Sequence, residues 1–399
     1  MTYDPLLLLP VLLLVGFGLV MIYSASSALA LKSYSNDLYF LKKQLIAAAI
    51  GAVAMFSLSL MPLHWLRRFC YPAIATAVVA LLAVKFSPWG HQAGGAMRWL
   101  RIGPLSFQPA EAARLALILF MAYSLSKKQD CIDQFSIGVL PHAAVFGLLA
   151  GLIAIQPDFG SVVLLAVITW IMMFAGGVPI RHLALPMVVL APLGYLYMIG
   201  ADYRLERLTS FRNPWQDASN SGYQIVHSLM AFGSGGIWGS GVGNSYQKLF
   251  YLPEPHTDFI FSVIGEETGL MGVMAILALY LLIFWRGLLI ARQTPDAFGG
   301  MLAVGLTTSI ILQVCVNMGV ALGLLPTKGL TLPFLSYGGT SLVFSMAAIG
   351  VLLSISARRR PAVALQPVQS RQAIGRIVKK RHQSQKKIPA ANRLRDKRP

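Results

Sequence analysis

Residues 251–285 read YLPEPHTDFIFSVIGEETGLMGVMAILALYLLIFW. The stretch opens as a turn-forming segment around Pro253 and Pro255 and reaches Asp258. From Phe259 to Trp285 it is then apolar, apart from Glu266, Glu267 and a few small polar residues. An apolar run of more than about 20 residues is long enough to cross a bilayer as a helix. Its apolar residues surround the helix instead of forming one stripe, so the run reads as a membrane span and not as the buried face of a soluble helix. Acids inside a span are costly and mark either a structural pairing or a pathway.

The same pattern recurs on both sides. The 399-residue chain is 56% hydrophobic and 12% charged, about half the charge of a soluble domain. Ten apolar cores are legible, at 6–28, 44–62, 69–87, 108–126, 137–155, 159–177, 183–200, 259–285, 299–323 and 338–356. The expected fold is an all-α integral membrane protein with ten transmembrane helices in residues 1–357. A large loop, about 201–258, separates helices 7 and 8, and a basic tail covers 358–399. That tail holds 14 Lys/Arg against one acid, Asp396, and carries most of the net charge of +18. With few large apolar residues it has no core to fold on. A basic segment beside a span favours anionic membrane lipids over nucleic acid as its partner.

An even number of spans puts both termini on one side, and the tail makes that side cytoplasmic. Outside the tail the charge is less decisive. Seven Lys/Arg fall in the inside loops and eleven in the outside segments, four of them in the long loop. Asp4 and the absence of a basic leader argue against a cleaved signal peptide. The three cysteines, Cys70, Cys131 and Cys315, are far apart and form no metal-ligand or disulfide pattern. Zinc motifs and serine-hydrolase motifs are absent.

The long loop begins with the charged stretch DYRLERLTSFRNPW and becomes the semi-apolar QIVHSLMAFGSGGIWGSGVG. The second part suits an interfacial helix followed by a tight glycine turn. Asp258 ends the loop where the next span begins. An acid there can serve as a helix cap, or as a carboxylate held at the membrane surface and ionised at neutral pH. On the helical wheel Glu266 lies well around from Asp258, and Glu267 lies opposite it. Each is either structural or functional.

Four further groups carry charge in informative places. Arg98 stands in GGAMRW beside an interfacial tryptophan. Glu111 and Arg114 are spaced to pair on a helix. Asp158 in QPDFG suits a turn or helix cap. Arg204, Arg207 and Arg212, with Lys248 and Lys328, supply cations for an anionic head group.

The segments GYQIVHSLMAFGSGG, YLPEPHTDF, HTDFIFSVIGEE and GLLPTKGLTLPFLSYGGTS resemble the SEDS family of shape, elongation, division and sporulation proteins. Gly265-Glu-Glu and Pro326-Thr-Lys-Gly-Leu-Thr-Leu-Pro333 are similar to the FtsW-like division branch more than to the RodA-like elongation branch. The resemblance covers roughly residues 5–356. It departs from the usual family pattern at Met97, Ala110, Arg114 and His227. It implies a peptidoglycan glycosyltransferase that polymerises lipid II with inversion and releases undecaprenyl pyrophosphate. It also implies Asp258 as the essential aspartate. A bridge from Asp258 through Mg²⁺ or Mn²⁺ would suit the pyrophosphate leaving group, although no sequence signal marks a metal site. His256 and Glu266 join Arg98, Arg204, Arg207, Lys248 and Lys328 as candidate substrate contacts. The implied partners are a class B penicillin-binding transpeptidase (FtsI-like) and other divisome proteins, at the septal inner membrane. The competing functions are a lipid II flippase, for which the intramembrane Glu111, Arg114, Glu266 and Glu267 would suit a passage, and a non-catalytic divisome scaffold.

Overall fold

Asp4 and Pro5 start the first helix. The Asp4 carboxylate accepts the Leu6 N–H at 3.1 Å, and Pro5 occupies a position where no hydrogen-bond donor is missed. The computed structural model describes residues 3–93, 96–103, 105–199, 211–220, 222–248 and 252–358. Within them the helices are α1 Pro5–Tyr34, α2 Tyr39–Leu60, α3 Leu63–Arg68, α4 Cys70–Phe86, α5 Pro109–Lys127, α6 Phe135–Gly138, α7 Leu140–Ile155, α8 Phe159–Ala175, α9 Ile180–Ile199, α10 Tyr223–Gly235, α11 Ile260–Gln293, α12 Ala297–Ala321 and α13 Gly339–Ser356. The basic tail, Arg204 and Arg207 lie outside the described residues.

Each of the ten expected span cores overlaps helix, 137–155 across α6 and α7 and 183–200 as far as residue 199. Among the described residues, six helical segments are long and apolar enough to cross a membrane: α1, α2, α6 with α7, α11, α12 and α13. The chain is therefore a multi-pass, predominantly helical membrane protein. Small residues bring its helices together. A Cβ on Gly350 of α13 would stand 2.4 Å from the Met55 carbonyl of α2. A Cβ on Gly51 of α2 would stand 2.6 Å from Met346 Sδ of α13. Close backbone approach of this kind supplies packing where apolar burial alone gives no preference for helix over lipid.

Two features depart from the expectation of uninterrupted helices. The first is an antiparallel sheet in the segment before α5: β1 Gly90–Ala93, β2 Ala96–Ile102 and β3 Leu105–Phe107, in the order β1-β2-β3. Trp99 pairs with His91, and Arg101 with Ser106. The meander satisfies its own backbone through cross-strand hydrogen bonds. It buries Ala96 and Leu100 and presents Arg98 half-buried. Short length and the glycines between the segments had hidden these strands in the sequence.

The second is a break in the span expected to run unbroken over 259–285. Gly269 takes φ 64°, ψ −167°, which ends one helical segment and starts another. The Leu270 and Met271 N–H groups, deprived of helical acceptors, donate to the Gly236 and Ile237 carbonyls at 2.9 and 3.2 Å. The Glu266 and Glu267 carbonyls in turn accept from Ser240 and Gly241 N–H at 2.9 and 3.0 Å. The glycine turn after α10 thus satisfies the backbone groups that the break frees.

Candidate active site

Asp258 stands in the turn just ahead of α11. The N-cap position belongs to Phe259, which has no side-chain cap, so Asp258 is one residue outside the place where capping would explain it. Its side chain is half-buried and lies against the turn that follows α12. A Cβ at Gly329 would stand 3.0 Å from Asp258 Oδ2, so the missing side chain is what admits the carboxylate.

The neighbouring residue in that turn is Lys328. Its Nζ lies 4.0 Å from Asp158 Oδ1 and 5.8 Å from the Phe159 ring centroid. Asp158 is the N-cap of α8: it accepts the Ser161 N–H at 3.3 Å and the Ser161 hydroxyl at 2.7 Å. Arg98 reaches across from β2 and donates from Nη2 to the Pro157 carbonyl at 2.6 Å. Lys328, Asp158 and Arg98, far apart in sequence, therefore converge, and the Asp258 carboxylate lies against Gly329, the residue next to Lys328.

Lys328 and Arg98 border a cavity of about 300 Å³ between α8 and α12. Its walls along the helices are apolar, from Val163, Leu164, Val167, Leu312 and Val316. Its charged end is made by Arg98, Asp158 and Lys328. The arrangement has the polarity of an amphiphile with an anionic head.

Gly160 forms the seat of the lysine. A Cβ there would fall 0.9 Å from Lys328 Nζ. The clash involves only the tip of a flexible side chain, so relief comes by moving the ammonium and not the backbone. Gly160→Ala is expected to leave the melting temperature in detergent nearly unchanged. Activity should fall on the order of 10- to 100-fold, because a charged group displaced by about 1 Å loses that much. Steady-state rates beside thermal melts of the same preparation check it. Equal loss of both would show that Gly160 serves packing alone.

Two amides on α12 tie these pieces together. Asn317, 1% exposed, donates to the Asp258 carbonyl at 2.9 Å and to the Leu330 carbonyl at 2.6 Å. One turn earlier, Gln313 donates to the Thr331 carbonyl at 3.1 Å and accepts from Arg114 Nη1 at 2.9 Å. Arg114 is also paired with Glu111. The expected Glu111–Arg114 pair thus extends to the turn that carries Lys328.

Glu266, Glu267 and Lys248 form a separate buried cluster. Lys248 Nζ lies 2.7 Å from Glu267 Oε1 and 3.0 Å from Ser24 Oγ of α1. Ser24 donates to the same carboxylate at 2.7 Å. The Glu266 carboxylate accepts from the Ser245 hydroxyl and from the Tyr246 and Gln247 N–H groups at 3.0 and 3.3 Å. These acids hold the loop before Asp258 onto the first part of α11. Lys248 and Glu266, considered from sequence as substrate contacts, are engaged here.

His256 is buried against Phe40, with ring centroids 4.4 Å apart, and against Tyr337 at 5.4 Å. Burial lowers its pKa to about 4, outweighing the exposed Glu254 carboxylate 3.7 Å away. The folded protein therefore holds His256 neutral where the unfolded chain, with a pKa near 6.5, takes up a proton. Its stabilising contribution is complete above about pH 6.5 and declines as the pH falls toward 4. The decline amounts to about 3 kcal/mol at most. Melting of the detergent-solubilised protein should show this slope, and His256→Phe should flatten it. An unchanged slope would put the acid sensitivity elsewhere.

Sequence reasoning passed over Gly160, Gly329, Gln313 and Asn317. The two amides, four residues apart in an apolar span, were a readable signal, because polar side chains at membrane depth need partners. The glycines acquire meaning only from the chain folded against them.

The chain matches the family described as "Cell cycle protein", which unites FtsW, RodA and SpoVE, over residues 5–361. It is 43% identical over 358 residues to the "Probable peptidoglycan glycosyltransferase FtsW" of Geobacter metallireducens, covering 90% of this chain and 96% of that one. It is 41% identical to "Stage V sporulation protein E" of Bacillus subtilis, covering 88% and 96%. A solved structure described as "Structural coordination of polymerization and crosslinking by a peptidoglycan synthase complex" contains a similar chain. The TM-score is 0.73 at 30% identity, covering 90% of this chain and 98% of that one. The rod shape determining protein RodA of Thermus thermophilus gives a TM-score of 0.66 at 29% identity, covering 90% and 99%. A match over nearly every described helix, joined to long relatives above 40% identity, means that the chain belongs to the FtsW, RodA and SpoVE cell cycle protein family, the SEDS membrane proteins.

Proposed function

We propose that this chain is a peptidoglycan glycosyltransferase that polymerises lipid II during division, with Asp258 as its base. The observation that carries the reading is the meeting of Lys328, Asp158 and Arg98 at the charged end of an apolar cavity, whose wall residue Gly329 lies against the Asp258 carboxylate. The cations receive a diphosphate, and the apolar walls receive the start of a lipid chain. Asp258 takes the proton from the acceptor's 4-hydroxyl as that oxygen attacks the anomeric carbon of the donor. The carbon inverts, its bond to the diphosphate breaks, and undecaprenyl pyrophosphate leaves with the electron pair. Lys328 and Arg98 offset the charge that develops on it. Arg204 and Arg207 are further candidates for the same head group.

A divalent ion, Mg²⁺ or Mn²⁺, would rest on Asp258 and the substrate's own phosphates, as such ions do when few carboxylates are available. Among the described residues no three metal-ligating side chains come together. Lys248, Glu266, Glu267, Glu111 and Arg114 act structurally in this reading, and His256 supports the turn before Asp258.

Ten crossings, with the long loop between the seventh and eighth, put both termini in the cytoplasm under the basic tail. The starts of α5, α8, α11 and α13 and the end of α12 then share the outer face with Asp258. A class B penicillin-binding transpeptidase is the fitting partner, given that one structural relative comes from a synthase complex that couples polymerisation to crosslinking.

The test uses the purified full chain with that partner and labelled lipid II in detergent micelles, where transport between leaflets has no meaning. Strands resolved by gel electrophoresis are the expected result. Lipid II transfer across vesicles without strand formation in micelles would favour a flippase, and neither activity would favour a scaffold.

A further inference from the structure

The two charged groups proposed for the chemistry come from different loops. Asp258 precedes α11 and Lys328 follows α12. Their relative position is not fixed by either helix alone. One side chain touches both loops: the Asn317 amide, which donates to the Asp258 carbonyl and to the Leu330 carbonyl at 2.9 and 2.6 Å. Both acceptors are carbonyls, so only the nitrogen of the amide can face them. The Asn317 oxygen is buried and accepts no hydrogen bond among the described residues. The side chain is therefore spent on donating to the two loops.

The surroundings fix this geometry. Gln313 holds Thr331 from the same face of α12, and Arg114 holds Gln313. The Thr331 hydroxyl donates to Ser341 Oγ at 2.8 Å, which ties the turn to α13. The Lys328 turn is thus anchored from several sides. The Asp258 loop is joined to it through Asn317, with Gly329 leaving just enough room for the carboxylate.

We propose that Asn317 is a positioning residue, which sets the distance between the Asp258 carboxylate and the Lys328 ammonium by clamping their two loops together. The proposal rests on the assignment of Asp258 and Lys328 to lipid II polymerisation. Loss of the clamp lets the loops separate while the cation-bordered cavity persists. The rate of the chemical step should then suffer and substrate binding should not. A displacement of about 1 Å is enough to cost on the order of 100-fold.

The experiment compares Asn317→Leu and Asn317→Asp with the unaltered chain, each with its transpeptidase partner and lipid II in detergent. Leucine keeps the shape and removes both donors. It is expected to lower kcat roughly 30- to 100-fold and to leave KM within about threefold. Aspartate puts an acceptor against two carbonyls, and burial among acceptors raises its pKa. As the pH falls its acid form regains one donor. The activity of Asn317→Asp relative to wild type should therefore rise at least about tenfold between pH 8 and pH 5.5, the range in which a raised carboxyl titrates. A filler of space would not produce that rise. A flat ratio, or a loss confined to KM, overturns the proposal.

Should neither variant fold, Gly329→Ala disturbs the same joint from the side of the lysine turn. It is expected to reproduce the selective loss of kcat, and normal turnover in it also overturns the proposal. Asp258→Ala in the same assay separates the two claims. If Asp258→Ala is inactive and Asn317→Leu is normal, only the clamp fails. If Asp258→Ala is active, the assignment beneath it fails.

Discussion

Asp258→Ala is expected to lower strand synthesis by roughly 100- to 10,000-fold, the range over which positioned acid–base groups act. Asp258→Asn, which keeps the shape but accepts no proton at neutral pH, should fall as far. Binding should change little in both, because the proposed reading gives the head group to Lys328 and Arg98. Asp258→Glu tests position separately from chemistry. The carboxylate rests where a Cβ at Gly329 would stand 3.0 Å away, so an added methylene moves it from that place and activity should stay low. Pre-steady-state measurement of the first glycosidic bond, with the transpeptidase present, gives the rate free of later events. Turnover within threefold of wild type in Asp258→Asn would remove the base from the mechanism.

The largest effect on stability is expected at Lys248 and Glu267. Their side chains are 8% and 0% exposed, and Ser24 of α1 completes the group. Glu267→Ala leaves an ammonium buried without its counter-charge, and Lys248→Met leaves a carboxylate in the same condition. Breaking one half of a buried pair costs about 3–5 kcal/mol. The double substitution Lys248→Met with Glu267→Leu removes both charges and should recover most of the loss, since apolar replacements of buried pairs are often neutral. Thermal melts of the four proteins in one detergent give the coupling directly. Additive losses in the double variant would mean that the two charges do not depend on each other.

The membrane character and helix positions were legible because apolar runs report their own environment. Nothing about the neighbours of α2 or α13 has to be known for each to be recognised as a span. Asp258 was legible for a different reason, the motif around it. Its companions were less so. Lys328 and Arg98 stood out as cations, but nothing local distinguished them from Lys248, which the fold buries against Glu267. The choice among them depends on which loops meet, and that is long-range information. The strands at 90–107 were missed because three short segments with glycines between them carry little periodicity. Gly160 and Gly329 were invisible for a simpler reason: the property that matters is the absence of a side chain, and only the neighbour that fills the space reveals it.

The break at Gly269 also divides α11 by length. The portion after it, residues 270–293, spans about 36 Å at 1.5 Å per residue, already enough for a hydrocarbon layer of about 30 Å. The nine residues before it are surplus to crossing. Those surplus two and a half turns, released from the demand to be apolar throughout, are where Glu266 and Glu267 reside and where the Asp258 loop is attached. A hydropathy scan that reads the 34 residues as one long span would assign this piece to the lipid. The backbone makes it an appendage, free to accept polar residues that a crossing helix of the minimum length could not accommodate.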